Sequence, residues 1–355
     1  MRKLLVLASV ITVASVASAG LFDALVRGLA ETGGDAIEES AKNRRGKESN
    51  DIDSSYYHKK EYDSRNEPNE PKGDFGVGTK TGETKTITLP GGATMEMIYV
   101  SPGSFMMGSP SSEDGRNDDE AQHSVTLTKG FWLGKYEVTQ AQWQSVMGYN
   151  PSRFKSPDRP VENVSWNDCQ EFLRTINAKM PCGARLPTEA EWEYACRAGT
   201  GSSLPSGKNL VVLGANNGRN LNPIAWYGGN SSVTFELSNG EDCSDWAEKE
   251  FGGSSAGTHP VGKKDANKWG FYDMIGNVYE WCTDTYDKDY YSTGPAVDPC
   301  NLASGVSRVI RGGCWGYYSR FCRSASRSGG EAGSRIEVCG FRLCCSAGGE
   351  RGEKQ

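Results

Sequence analysis

Histidine is scarce in this chain of 355 residues: His58, His123 and His259 are all there is. A metal centre built on imidazoles is therefore not expected. No two of the eleven cysteines are spaced C-x-x-C, which excludes a zinc ribbon and a thioredoxin-type redox pair. Past Val16 no apolar run approaches the ~20 residues that cross a bilayer, so no transmembrane span is expected in the mature chain. The net charge of −6 is small for the length and leaves no basic footprint, so nucleic acid is not an expected partner. No phosphate loop, nucleotide fingerprint or internal repeat occurs. The stretch "GSSAG" at 253–257 fits G-x-S-x-G, but it sits in a glycine-serine loop. A nucleophile elbow needs a strand before it and a helix after it.

Several features are present. Arg2 and Lys3 precede an apolar run from Leu4 to Val16, and Ala17-Ser18-Ala19 supplies small residues at a cleavage position. This is the pattern of an export signal over residues 1–19. It predicts a mature chain from Gly20 in the periplasm or outside the cell. In that compartment a cysteine's default fate is a disulfide, and an odd count leaves at least one thiol over. Residues 21–30 can form a short amphipathic helix. The following polar stretch mixes both charge signs and lacks aliphatic residues, so residues 20–85 read as a short helix plus linker. A folded domain is expected over 86–346, and 347–355 reads as a polar tail.

Within the domain, "TMEMIYV" and "HSVTLT" alternate as strands do. Thr139 with Gln142, Ser165 with Asp168, and Thr188 with Glu191 each form a capping box ahead of apolar positions at helical spacing. Beyond Gly199 no helix is predicted. Glycine loops and short strands such as "SRVIRGG" and "CGFRLCC" dominate there. Trp166, Trp192 and Trp281 read as buried anchors whose indole N–H needs a partner.

The segments "GSFMMGS", "GKYEVTQAQW", "RPVENVSWNDC", "RLPTEAEWEYACRAGT", "THPVGKK", "GFYDMIGNVYEWC", "RVIRGGCW" and "GFRLC" follow one another in this order. In this the chain resembles the formylglycine-generating enzyme family, the sulfatase-modifying-factor domain, over Thr86 to Ser346. The resemblance implies an α+β fold, a compact, loop-rich variant of the C-type lectin fold with few short helices and strands. It also implies calcium at "DMIGNVYE", held by the carboxylates of Asp273 and Glu280 and the carbonyls of Gly276 and Val278. Hard oxygen ligands from one short loop suit Ca²⁺. A second calcium site of the family is not matched. The histidine cluster H-x-x-x-H-x-E of a related iron-dependent branch is absent.

The family's enzyme oxidises a sulfatase cysteine to formylglycine with copper held by two thiolates spaced C-x-x-x-x-C. Soft sulfur ligands suit Cu(I). Here Cys314 and Cys322 are the cysteines available after Gly312-Gly313, with seven residues between them. Spacing and position both fail, so copper is not expected. An oxidase using this rearranged pair is the rival reading. The family's disulfide between its "EWEY.CR" helix and its "R.AAR" strand implies a bridge from Cys196 to Cys322, which stands two residues before the family position, now Ser324. Its neighbouring bridge implies Cys169–Cys345, with Cys182, Cys339 and Cys344 as competitors.

The remaining expectation is a binding surface for a protein or glycan ligand. Trp315, Tyr317, Tyr318, Arg320 and Phe321 mix aromatic and guanidinium groups as adaptable paratopes do. They lie between "RGGCW" and "GFRL", which resemble the anchors that flank the variable segment of retroelement-diversified proteins of this fold. If the segment is a strand, alternation turns some of these rings inward.

Overall fold

Three hydroxyl residues start the longest helices among the described residues, as the capping boxes predict. Thr139 opens α1 (Gln140–Met147), Ser165 opens α2 (Trp166–Lys179) and Thr188 opens α3 (Glu189–Arg197). In each, the hydroxyl accepts the third helical N–H and the Gln, Asp or Glu side chain accepts the cap N–H in return. The computed structural model describes residues 75–348 except Pro181. These residues fall in a unit that begins at Pro71. The export signal, the 21–30 stretch, the linker as far as Asp74 and the tail from 349 lie outside the described residues.

The remaining elements are short. In chain order they are β1 (Thr84–Thr88), β2 (Thr94–Val100), β3 (Gly103–Met107), β4 (His123–Leu127), β5 (Phe131–Gly134) and β6 (Ala184–Arg185). Then come β7 (Val211–Gly214), β8 (Asn217–Arg219), β9 (Glu241–Asp242), β10 (Ser255–Ala256) and β11 (Tyr279–Thr285). The last are α4 (Tyr290–Thr293), β12 (Ser307–Arg311), β13 (Arg327–Glu331), β14 (Cys339–Gly340) and β15 (Cys344–Ser346).

A five-stranded antiparallel sheet runs β1-β2-β5-β15-β6, and a four-stranded sheet runs β13-β12-β11-β14. In the second sheet only β11–β14 is parallel. Hairpins β3–β4, β7–β8 and β9–β10 stand outside these sheets. The architecture is the α+β, loop-rich one expected. No helix among the described residues is long and apolar enough to cross a membrane.

Two boundaries differ from expectation. The ordered chain begins before Thr86, because Phe75 is buried edge-on against Trp132 at 5.5 Å and β1 starts at Thr84. Short helical turns also occur past Gly199, at α4 and as a 3₁₀ turn over Ser319–Phe321. Both are shorter than any periodicity can reveal.

The apolar core gathers Ile98, Leu133, Trp192, Phe271, Cys282 and Val309 from both sheets, α3 and the loop before β11. The predicted anchors find partners. Trp192 donates to Glu280 Oε2 at 2.8 Å, Trp281 to Val164 O at 3.0 Å and Trp166 to Cys282 O at 2.9 Å. These indoles tie α3, the start of α2 and the loop before α2 to the single strand β11.

Candidate functional site

The stretch after β12 is held by its own arginines. The buried Arg311 guanidinium ion-pairs with Glu193 of α3 and donates to the carbonyls of Ser324 at 2.9 Å, Ala325 at 2.9 Å and Ser326. Arg327 forms a two-pronged pair with Glu189, both contacts at 2.8 Å. Arg323 meets Glu113 at 2.6 Å and Glu120 at 2.6 and 2.8 Å, and it also donates to the carbonyls of Gly115 and Arg320. A planar fork with several donors suits this kind of carbonyl clamping. The loop is thereby fixed by side chains rather than by a strand ladder.

That loop decides which of the expected ligand residues reach solvent. Trp315, Tyr317 and Phe321 are buried, and Tyr318 and Arg320 are half-buried. Trp315 packs edge-on against Phe154 at 5.2 Å and donates its N–H to Glu337 O at 3.0 Å. Tyr317 meets Tyr279 edge-on at 5.4 Å. Trp315, Tyr317 and Phe321 are thus turned away from solvent, and Tyr318 and Arg320 remain as the candidates for ligand contact. The 3₁₀ turn at Ser319–Phe321 breaks strand alternation and turns Phe321 under Arg320, whose guanidinium lies 4.7 Å from the ring centre.

Residues not singled out in the sequence complete this surface. Ser319 donates from its N–H to Ala215 O at 2.8 Å and from its hydroxyl to Gly214 O at 3.2 Å, joining the turn to the end of β7. On β7, Val212 packs on the core while Val211 and Leu213 point out, with Leu213 52% exposed. Gly115 closes the other side, since a Cβ there would lie 2.9 Å from Arg320 Cβ. The turn that carries Tyr318 and Arg320 is thus joined to β7, whose Val211 and Leu213 are exposed. Period-2 alternation over "VVLG" was the available signal, hidden by surrounding glycines and asparagines.

The cysteines are sealed. Ten of the eleven are buried. Burial pushes Cys322 up to about 12 and Cys314 well above its ordinary range. A thiol so placed is a poor nucleophile and a poor metal ligand at neutral pH, since the thiolate does that chemistry. Gly313, at φ +75°, leaves room for Cys322, whose Sγ would lie 2.8 Å from a Cβ there. Cys196 has Ser324 Oγ at 3.6 Å, the family position, where Cys322 was the expected partner. Cys345 makes its sulfur contact with Cys182, whereas Cys169 has Cys339 as its thiol neighbour.

The calcium-motif residues come together in a buried acidic pocket. Gly276 bends at φ +80°, where a Cβ would strike Trp226 O at 2.4 Å. Asp273 Oδ2 accepts from Gly262 N at 2.6 Å, while Oδ1 is buried without a partner. Glu280 is taken by Arg342 at 2.7 Å and by Trp192. Glu137, not picked out from the sequence, accepts from Asn277 Nδ2 at 2.7 Å and Val278 N at 3.1 Å. Burial raises Asp273 to about 6, and burial followed by the Asp273 and Glu280 charges raises Glu137 well above its ordinary range. Three carboxyls thus face one guanidinium. This surplus of buried negative charge, with one bare oxygen, fits a hard cation. Among the described residues no three His, Cys, Asp or Glu side chains converge as a metal cluster. A site of two carboxylates and two carbonyls does not require one.

A family model for the "Sulfatase-modifying factor enzyme 1-like domain" matches residues 84–347. The chain is 34% identical over 223 residues to the chaperone protein LppX of Paenibacillus barcinonensis, covering 53% of this chain and 70% of that protein. It is 32% identical over 220 residues to the formylglycine-generating enzyme of Streptomyces coelicolor, covering 61% of each. Among solved structures it resembles Treponema denticola variable protein 1, with 29% identity and a TM-score of 0.59, over 74% of this chain and 99% of that one.

Proposed function

Because the chain belongs to the family of sulfatase-modifying factor enzyme 1-like domains, we propose that it is an exported member that binds a protein or glycan ligand instead of oxidising a cysteine. The observation that carries this reading is the pairing of an open patch with closed thiols. Tyr318 and Arg320 are half-buried on the turn that Ser319 joins to β7, where Val211 and Leu213 are exposed, while Cys314 and Cys322 are buried. An aromatic ring, a guanidinium and two aliphatic side chains suit recognition of a folded surface or a sugar face. The similarity to a variable protein of Treponema denticola supports a binding role in which sequence variation sets specificity.

The test has two arms. Tyr318→Ala and Arg320→Ala are expected to abolish capture of envelope proteins or glycans with the melting temperature unchanged. Trp315→Ala, by removing a buried ring, is expected to lower stability first. In the second arm the domain is given Cu(I) and a peptide containing Cys-x-Pro-x-Arg. Formylglycine formation that is lost in Cys314→Ser or Cys322→Ser would overturn the binding reading and establish the oxidase.

Calcium belongs to this proposal as a structural ion. Asp273, Glu280 and the carbonyls of Gly276 and Val278 would hold it, and its charge would offset the acidic surplus beside Glu137. A ligand that binds only the folded state stabilises by mass action. Chelator is expected to lower the melting temperature of the wild type and to leave Asp273→Asn unmoved. An equal response of both proteins removes the assignment.

A further inference from the structure

The geometry points to a disulfide between Cys182 and Cys345 that fastens the turn after α2 to the strand β15. The family-derived expectation joined Cys345 to Cys169 and left Cys182 as one of three competitors. Strand register supports it. Cys345 lies opposite Ala184 in the antiparallel pair β15–β6, and Ser346 N donates to Gly183 O at 3.3 Å beyond it. Cys182 is two residues before Ala184, and Gly183 between them, at φ +64°, turns the chain at the start of β6 beside Cys345. Each thiol shifts the other's ionisation as close neighbours do, Cys345 lowering Cys182 and Cys182 raising Cys345. Asn177 of α2 fixes the turn, donating to Ala184 O at 2.7 Å and accepting from Ala184 N at 2.8 Å. The sulfurs are thus brought together by structure that exists before any covalent bond.

Neighbouring cysteines are excluded by direction. Successive side chains of a strand point to opposite faces. Cys344 belongs to the apolar core with Leu133 and Trp192, so it faces away from Cys182. Cys169 has Cys339 as its sulfur neighbour.

The chemistry is thiol–disulfide exchange with a small-molecule or carrier disulfide as oxidant. The Cys182 thiolate attacks one sulfur of that disulfide and releases the other as a thiol. The Cys345 thiolate then attacks the Cys182 sulfur of the mixed disulfide and releases the second thiol. Two electrons pass to the carrier, and the two thiol protons leave with its reduced sulfurs. The neighbouring Cys345 lowers the pKa of Cys182, which assigns it the first attack.

The full chain, incubated with oxidised glutathione, is alkylated and digested with trypsin. Cleavage after Lys179, Arg185, Arg342 and Arg351 releases Met180–Arg185 and Leu343–Arg351. The expected result is one species joining these two peptides, lost on reduction. It persists in Cys344→Ser and disappears in Cys345→Ser. Reductant is expected to lower the wild-type melting midpoint by on the order of 10 °C and to leave Cys182→Ser unmoved. Recovery of Cys182 fully alkylated, a Cys345–Cys169 linkage, or loss of the joined species in Cys344→Ser would each overturn the pairing.

Discussion

Arg311→Met is expected to lower the unfolding free energy by about 3–5 kcal/mol, the usual consequence of removing one partner from a buried charged network. The Arg311 side chain is fully buried. Its carboxylate partners do not lose all compensation, because Glu193 keeps Arg197 at 2.8 Å and Glu189 keeps Arg327. The damage falls mainly on the carbonyls of Ser324, Ala325 and Ser326, which lose the N–H groups that Arg311 donates to them. A buried acceptor left unmade costs about 1–3 kcal/mol. Lysine cannot rescue the position, since one ammonium does not reproduce the fork. Urea denaturation measures the loss. The comparison is Arg335→Ala, whose pair with Asp168 involves a side chain 47% exposed and is expected to contribute at most about 1 kcal/mol. Equal losses in the two variants would refute the clamp.

Between pH 5 and pH 8.5 the domain is expected to lose stability through Glu162, on the order of 3 kcal/mol. This carboxyl is fully buried; Oε1 accepts from Phe154 N at 2.8 Å while Oε2 has no partner. Burial raises its pKa from 4.5 to about 8. The sign follows from proton counting. In this interval the folded state holds the proton and the unfolded state has released it, so alkali favours unfolding. The contribution is fully present below about 4.5 and is lost as the pH rises through about 8. Glu162→Gln keeps the shape without the ionisation. It is expected to match the wild type at pH 5 and to exceed it at pH 8.5. A variant whose stability follows the wild-type pH curve in parallel would show that Glu162 does not titrate in this range.

The helices, the indole anchors and the family segments were legible because their signals are local. A capping box needs four consecutive residues, and Thr139, Ser165 and Thr188 each carry one complete. The surface patch was only half legible. Tyr318 and Arg320 stood out by composition, but the inward turn of Trp315, Tyr317 and Phe321 depends on a 3₁₀ turn and on carbonyl clamps from distant arginines. Arginine in a loop reads as a solvated residue. Nothing near Arg311 or Arg323 in sequence names the glutamates 118 and 203 positions away that bury them. Glu137 was missed for the same reason, since its place beside Asn277 is made by a contact across 140 positions. The thiol pairing likewise depends on register between β15 and β6, which cysteine spacing does not encode.

Strand β15 lies in the middle of its sheet, with β5 on one side and β6 on the other. On the ribosome, β5 and β6 therefore wait for a central neighbour made some 160 residues after β6, as Cys344 pairs with Arg185. Such distant pairing makes for slow folding. It also means that a stop codon or frameshift anywhere in the segment from Trp315 to Leu343 deletes the strand that closes the sheet. Chains truncated within that segment would then be removed as misfolded protein. The position of one short strand makes folding itself a proofreading step for whatever sequence is placed ahead of it.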